Sequence, residues 1–589
     1  MSGDFKTVKV VDKRLVPVDQ MAYAVKYGAK SINPQQFLAQ SISTSQIQWQ
    51  VIVPSFETMI SRELYVRSTF KLKLVYDVPT PTAGVPIFQY GDLEALQAYP
   101  FHSLLSTMQA TINNQTVTCN IQDLLHIFTR THNKHSLARL HSSTPCQKDV
   151  YANYTDASGT INNPNGSFAN TSLDNDFHGN GSWIPKLVEY DNGGTMVDIT
   201  NTFNNANYDD AIIVGDISAG NKTFYFTFET REPVLGLPPF IWCDPIYDQN
   251  CLYGVNNINL LYNVSGSSRV WRTGNTNFVS CSLSTLSNCY LDFMFMTPHE
   301  DMLYPKQCVT SYYEMPRYIT PVGAIGAGVE TTLISQSLQL SSIPDMVFIS
   351  VKKAYSQMTN TDSDCYLKIK KLNIQFNNNS GLLSSAQPQD LWAMGVHHCN
   401  SNQSWYEWNG EAFTRNGQLT VNQKVRTSGP ILMLSFGDDI AIQDGFSAPS
   451  SIGAYNFQVQ LTVENNTGAN ISANQYEIQI VTMNSGLFLT SAGVSSKYLA
   501  VLNKSDVLET AKQEQHSSAD VERLVGGSKG SGIFDTLSSI IGQVLPVAKA
   551  LAPVAKGVLG SIDNPYAKGA SGVLGSLGFG KKNLNERLA

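Results

Sequence analysis

Apolar and polar residues alternate with a period of two through most of the chain, and this constrains the fold more than any other feature. Gln46–Ser55 (QIQWQVIVPS) places Ile47, Trp49, Val51 and Val53 on one face, and Tyr65–Val78 (YVRSTFKLKLVYDV) repeats the pattern with Phe70, Leu72 and Leu74. Successive side chains of a strand point to opposite faces, so this spacing predicts half-buried strands. Met108–Asn120 reads as two strands around a tight turn at Asn113-Asn114. Asn120 is placed to cap a short helix, IQDLLHIFTR, with Ile121, Leu124, Leu125 and Phe128 apolar. After Thr223–Val234 and the stretch PPFIWCDPIYDQN the pattern restarts in NINLLYNV, YLDFMFMTP, MVFISVKK, CYLKIKKLNIQF, GPILMLSFG, YNFQVQLTVEN and YEIQIVTMNSGLFL. About seven or eight strands in each half predict an all-β chain with two tandem jelly-roll sandwiches.

The expected organisation is an N-terminal arm over 1–45, a first jelly roll over 46–245 and a second over 246–510. A flexible linker over 511–532 and an amphipathic helical tail over 533–589 complete it. Residues 152–222 interrupt the first unit; NYTDASGTINNPNGSFANTSLDNDFHGNGS is nearly all turn formers and reads as a long surface loop. In the tail, Ile533, Leu537, Ile540, Ile541, Val544 and Ala548 recur at helical spacing, with Pro546 and Pro553 interrupting the run.

Hydrophobic residues make up 42% and aromatics 10%, enough for two cores, while charged residues make up only 15% against a usual ~25%. A surface poor in charge suits extensive burial against other protein, because charges are costly to desolvate. The net charge is −7; the tail after Gly527 holds seven Lys/Arg and three acids, so it is +4 and the body −11. A body this acidic, with no Arg-rich arm, argues against nucleic-acid binding.

Nine cysteines are scattered with no C-x-x-C pair, and MSGDFKTVKVVDKRLV is charged where a signal peptide would be apolar. Reduced thiols and an intracellular protein are the expectation, with the N-x-S/T sequons unused. No run of 18 apolar residues predicts a transmembrane span.

No catalytic constellation emerges, and neither a cofactor nor a metal is expected. No nucleophile elbow sits between a strand and a helix, and there is no H-E-x-x-H. GSLGFGKKN (Gly575–Asn583) lacks the Ser/Thr of a phosphate loop after Lys581 and follows no strand. His397, His398 and Cys399 are adjacent, a spacing that rarely meets tetrahedral metal geometry. GDDIAIQDG (Gly437–Gly445) has three acids without calcium-loop spacing.

One block carries a family resemblance. In Leu93–His132 (LEALQAYPFHSLLSTMQATINNQTVTCNIQDLLHIFTRTH), Tyr99, Pro100, Ser103, Leu104, Met108, Ala110, Thr111, Ile112, Asn113, Leu124, Leu125 and Arg130 match the pattern of major capsid proteins of virophages and Polinton-like viruses. INPQQFLAQSISTSQIQWQVIVPSFETMISREL, EPVLGLPPFIWCDP and LYGVNNINLLYNVSGSSRVWR resemble three further blocks of that family, the last closing with Arg269, Val270, Trp271 and Arg272. The resemblance covers roughly residues 30–275. It implies a double jelly roll, homotrimers of pseudo-hexagonal outline and a non-enzymatic role in an icosahedral virion shell assembled inside a host cell, with a minor capsid or penton protein as partner.

It also implies a viral maturation protease, a cysteine enzyme whose sites resemble Met/Ile/Leu-x-Gly-Gly. Leu524, Val525, Gly526 and Gly527, before Ser528, fit that site, between polar KQEQHSSADVERL and flexible GGSKGSG. The tail beyond it has an apolar face, lysines and few acids, as do helices that lie on membranes; docking on the inner face of a shell is the favoured reading, and the two can coexist before and after cleavage. The rival for the whole chain is a secreted or surface β-sandwich module that binds carbohydrate, which would call for a signal peptide and paired cysteines.

Overall fold

The computed structural model describes residues 28–78, 94–131, 149, 152, 185–200, 219–240, 251–267, 269–300, 306–398, 403–415, 422–442, 447–466, 475–500, 502, 503, 505, 507 and 509. Among them the chain is antiparallel β-sheet with short helices.

The first sandwich has one sheet in the order Ser31–Leu38, Phe278–Thr297, Tyr65–Val78, Gly220–Pro233, Leu187–Asn192, Thr195–Asp198, with Met59–Ile60 also on Phe278–Thr297. The facing sheet runs Ser41–Ile42, Gln46–Ile52, Asn257–Val264, Leu105–Ile112, Gln115–Cys119. The period-two residues read from sequence are the core: Ile47, Trp49, Val51, Phe70, Leu72 and Leu74 are all fully buried. The Trp49 and Tyr262 rings meet edge to face at 5.0 Å, and Trp49 Nε1–H donates to Cys289 O at 3.1 Å, which satisfies the indole's one donor.

The second sandwich is built around Gln475–Ser491, which pairs with Cys308–Glu314, Arg317–Ala324, Met346–Lys353 and Val494–Leu499; Leu432–Ser435 extends the sheet beyond Met346–Lys353. Facing it, Ile452–Glu464 pairs with Glu330–Ile334, Leu338–Ser342 and Lys368–Phe376, and the last of these pairs with Asn379–Leu382. The result is two jelly rolls in tandem. Gln475–Ser491 is buried nearly throughout, because its two faces serve two cores. Tyr476, Ile478 and Ile480 pack in the second sandwich, whereas Val481, Met483 and Phe488 pack with the core of the first. A strand covered on both faces loses its alternation, which explains why YEIQIVTMNSGLFL reads as an apolar run.

Three expectations change. The boundary at 245/246 is misplaced: Asn257–Val264 and Phe278–Thr297 pair with strands of the first sandwich, and the second begins at Cys308. The arm is shorter than 1–45, because Ser31–Leu38 pairs residue for residue with Phe278–Thr297. The loop 152–222 contains the strands Leu187–Asn192 and Thr195–Asp198, anchored where Tyr190 meets the Phe224 ring at 5.2 Å. Helices Pro388–His397 and Trp405–Trp408 flank the second sandwich, with Leu391 and Trp408 buried. The linker from 511 and the tail 533–589 lie outside the described residues.

Candidate functional site: the joint between the two jelly rolls

The helix Ile121–Thr131 follows the Asn113-Asn114 hairpin and sits where the two sandwiches meet. Ile121, Leu124, Ile127 and Phe128 face the first core, while Leu125 is only half-buried. Asp123, His126 and Arg130 are also buried. Their spacing of three and four residues puts them on one helix face, and that face meets the second sandwich.

Asp123 pairs with Arg317 and, at 3.4 Å, with Lys352 Nζ; its backbone carbonyl accepts from Gln479 Nε2 at 2.9 Å. Arg130 donates to its own His126 carbonyl at 3.1 Å and to Asp364 O at 2.8 Å, and its guanidinium lies over the Tyr366 ring at 5.1 Å. Arg269 reaches Asp364 Oδ1 at 3.0 Å and donates to the carbonyls of Thr359 (2.8 Å) and Asp362 (2.5 Å). Arg272 pairs with Asp149 at 3.0 Å, and the other Asp149 oxygen accepts from Asp364 N–H at 2.9 Å. Lys353 pairs with Asp362 at 2.7 Å.

The charges nearly cancel. Arg130, Arg269, Arg272, Arg317, Lys352 and Lys353 are set against Asp123, Asp149, Asp362, Asp364 and Glu477. Burial works against the Asp364 carboxylate, but the Arg269 and Arg130 charges outweigh it and hold its pKa below the usual range. His126 is held well below the usual imidazole range by burial and by Lys352 and Arg130. Buried pairs of this kind add little over an apolar contact, yet removing one partner strands a charge at a cost of about 3–5 kcal/mol. The network therefore fixes the orientation of one jelly roll on the other.

A second buried cluster lies within the first jelly roll. Glu232 accepts from the backbone N–H groups of Phe101 (2.8 Å) and His102 (3.1 Å) and from His102 Nδ1 (2.6 Å), tying the Tyr99-Pro100 turn to the Glu232-Pro233 strand end. Both motifs belong to the blocks that carried the resemblance, as do Arg130, Arg269 and Arg272. Sequence reasoning missed Asp362, Asp364, Lys352 and Lys353; the two lysines end the strand Met346–Lys353 and pair with Asp123 and Asp362.

The other sequence candidates are scattered. His398 Nε2 lies 2.7 Å from Asp439 Oδ2 of the GDDIAIQDG turn, and His397 ends its helix. Among the described residues no group of three or more metal-ligating side chains occurs. Burial pushes the thiols of Cys119, Cys281, Cys289 and Cys365 up to about 12, which keeps them protonated and poorly nucleophilic. Leu524, Val525, Gly526, Gly527 and Ser528 lie outside the described residues, as does Gly575–Asn583. No helix among the described residues is long and apolar enough to cross a membrane.

Two solved structures share this architecture. The chain matches the Sputnik virophage structure from cryo-EM with a TM-score of 0.75 at 24% identity, over 88% of this chain and 98% of that one. It matches the mavirus major capsid protein with a TM-score of 0.66 at 12% identity, over 88% of this chain and 100% of that one. The fold and its joint thus define a double jelly-roll protein. The model for the first domain of the Sputnik virophage major capsid protein matches residues 3–297, and that for the C-terminal domain of major capsid protein V20 matches 315–486. A Sputnik virophage protein described as capsid protein V20 is 27% identical over 610 aligned positions, covering 98% of this chain and 94% of its own. The chain belongs to the virophage major capsid protein family, and its place is the shell of the virion.

Proposed function

We propose that three copies of this chain close into a trimer of pseudo-hexagonal outline, and that such trimers tile an icosahedral shell. The observation that carries this is apolar surface left open on both jelly rolls: Ile32, Leu38, Ile52, Ile334 and Ile452 are each more than half exposed. Apolar side chains left in solvent are suited to burial against other protein. A unit of near-sixfold outline cannot occupy a fivefold vertex, so a minor capsid or penton protein is the partner there. The role is structural, with no reaction and no nucleic acid to bind.

The C-terminal part matures by proteolysis. A viral cysteine protease cuts after Gly527, where two glycines offer no side chain to clash with a narrow cleft and Leu524 fills an apolar pocket further back. Before the cut, residues 528–589 hold to the inner face of the shell. Afterwards, with a net charge of +4 and an apolar helical face, they are suited to contact a host membrane. Intact-mass measurement on mature virions tests this: the capsid protein ends at Gly527, and a capsid protein still carrying Ala589 overturns the proposal.

A further inference from the structure

Cys251 and Cys308 stand 57 positions apart in sequence and meet in the fold, where Cys308 Sγ donates to Cys251 O at 3.4 Å. Both carry free thiols. A sulfur that close to a carbonyl oxygen lies within about 6 Å of the same residue's Cα, by the lengths of the intervening bonds. The two side chains therefore share one small space.

The backbone around them is held from both sides. Leu252 exchanges both backbone hydrogen bonds with Ile60 of the first jelly roll, at 2.7 and 2.8 Å. Cys308 opens the strand Cys308–Glu314 of the second and pairs with Thr490. Between the two, Tyr253 Oη–H donates to Gln307 O at 3.0 Å, and Thr490 Oγ1 donates to Tyr253 O. A bond from Cys251 to Cys308 thus crosses from the first jelly roll to the second, beside hydrogen bonds already made.

The two thiols differ in access. Cys308 is buried and Cys251 only half-buried, so a reagent from solvent meets Cys251 first. Burial raises both thiols, the Cys308 charge adds to the rise at Cys251, and the Arg62 guanidinium opposes the rise at both. Arg62 is fixed there by donating to Pro239 O at 2.8 Å and to Ser311 Oγ at 3.3 Å. A fixed cation beside a thiol favours the thiolate, which is the form that reacts.

We propose that Cys251 and Cys308 are a redox-closed pair, reduced while the particle is built in a host cell and joined as a disulfide once the virion meets a small-molecule disulfide outside it. The oxidant is of the class of glutathione disulfide. The Cys251 thiolate attacks one of its sulfurs, forms a mixed disulfide and releases one glutathione thiolate. Cys308 gives its proton to water, turns about χ1, attacks Cys251 Sγ and expels the second glutathione thiolate. The two protein sulfurs lose two electrons, glutathione disulfide gains them, and the two thiolates take up the two protons released. The closed bond ties the jelly rolls together in addition to the Arg269–Asp364 contact, and it constrains the unfolded chain across the 57 positions between the cysteines. A reducing cytoplasm runs the same exchange backwards.

The test equilibrates the full chain in glutathione disulfide or in dithiothreitol, quenches with acid, alkylates free thiols and maps the peptides without reduction. The expected result is a peptide pair joined through Cys251 and Cys308, abundant in the oxidised sample and absent from the reduced one. The oxidised chain also melts several degrees higher, and Cys251→Ser melts alike in both buffers. A folded wild type whose Cys251 and Cys308 both stay alkylated after oxidation overturns the pair. So does a glutathione adduct that persists on Cys251, because Cys308 then does not reach it. A joined pair with an unchanged melt overturns the lock. If Cys251→Ser does not fold, dithiothreitol added to the oxidised wild type decides: the melt falls back as the joined pair disappears, and a melt that stays high overturns the assignment.

Discussion

Arg269 Nη2 lies 3.0 Å from Asp364 Oδ1, and the contact crosses from the first jelly roll to the second. Arg269 is buried while Asp364 keeps part of its side chain in solvent. Arg269→Met leaves Asp364 with Gln97 Nε2 at 3.0 Å and without its closest cation. The expected loss is about 2–3 kcal/mol, below the full range for breaking a buried pair because Asp364 is partly exposed. Urea unfolding reads it as a lower midpoint; an unchanged midpoint would show that the pair does not hold the joint.

Arg272 and Asp149 are a drier case, both almost fully buried at 3.0 Å. Arg272→Met is therefore expected to cost more than Arg269→Met, about 3–5 kcal/mol. The reverse order in the same urea series would argue that the Asp149 contact is incidental.

The joint also sets an acid limit. His126 is kept neutral by burial and by the Lys352 and Arg130 charges, so its folded pKa lies well below its unfolded value of about 6.5. The unfolded chain then binds the extra proton first, and stability falls as pH drops below about 6.5. Asp364 acts further down: its depressed pKa contributes stability above the unfolded value of about 3.9, which is lost as pH falls through the folded value. His126→Gln is expected to flatten the fall in melting temperature between about pH 6.5 and 5. If variant and wild type lose the same number of degrees, His126 is not the sensor.

Gly429 lies at φ +83°, and a Cβ there would meet Tyr366 O at 2.3 Å. Gly429→Ala combines a left-handed alanine with a clash against the residue that carries Arg130 on its ring. A loss of about 2 kcal/mol or more is expected. Full stability in a thermal melt would mean that the backbone at the joint can yield.

Much of the fold was legible because alternation reports directly on burial. Trp49, Phe70, Leu72 and Leu74 were placed in the core and are there. What alternation does not carry is which strand pairs with which. Phe278–Thr297 pairs with Tyr65–Val78, some 200 residues earlier, so PPFIWCDPIYDQN looked like a domain boundary although the first sandwich was still incomplete. The joint was half legible: Arg130, Arg269 and Arg272 stood in recognisable blocks, but Asp362 and Asp364 lie in a turn whose chemistry depends on a partner about 95 residues away.

The cleavage reading makes a separable claim about infection. Gly526→Val puts a branched side chain where the protease needs none, so particles assemble and stay uncut. Reduced infectivity of those particles is expected, and wild-type infectivity with an intact tail would leave the tail with an assembly role alone.

The central claim is that the chain works as a trimer. Light scattering coupled to size exclusion, on the full chain at micromolar concentration, measures this most directly. The account predicts a single species of three times the 64.7 kDa chain mass, and a lone species at the mass of one chain would contradict it.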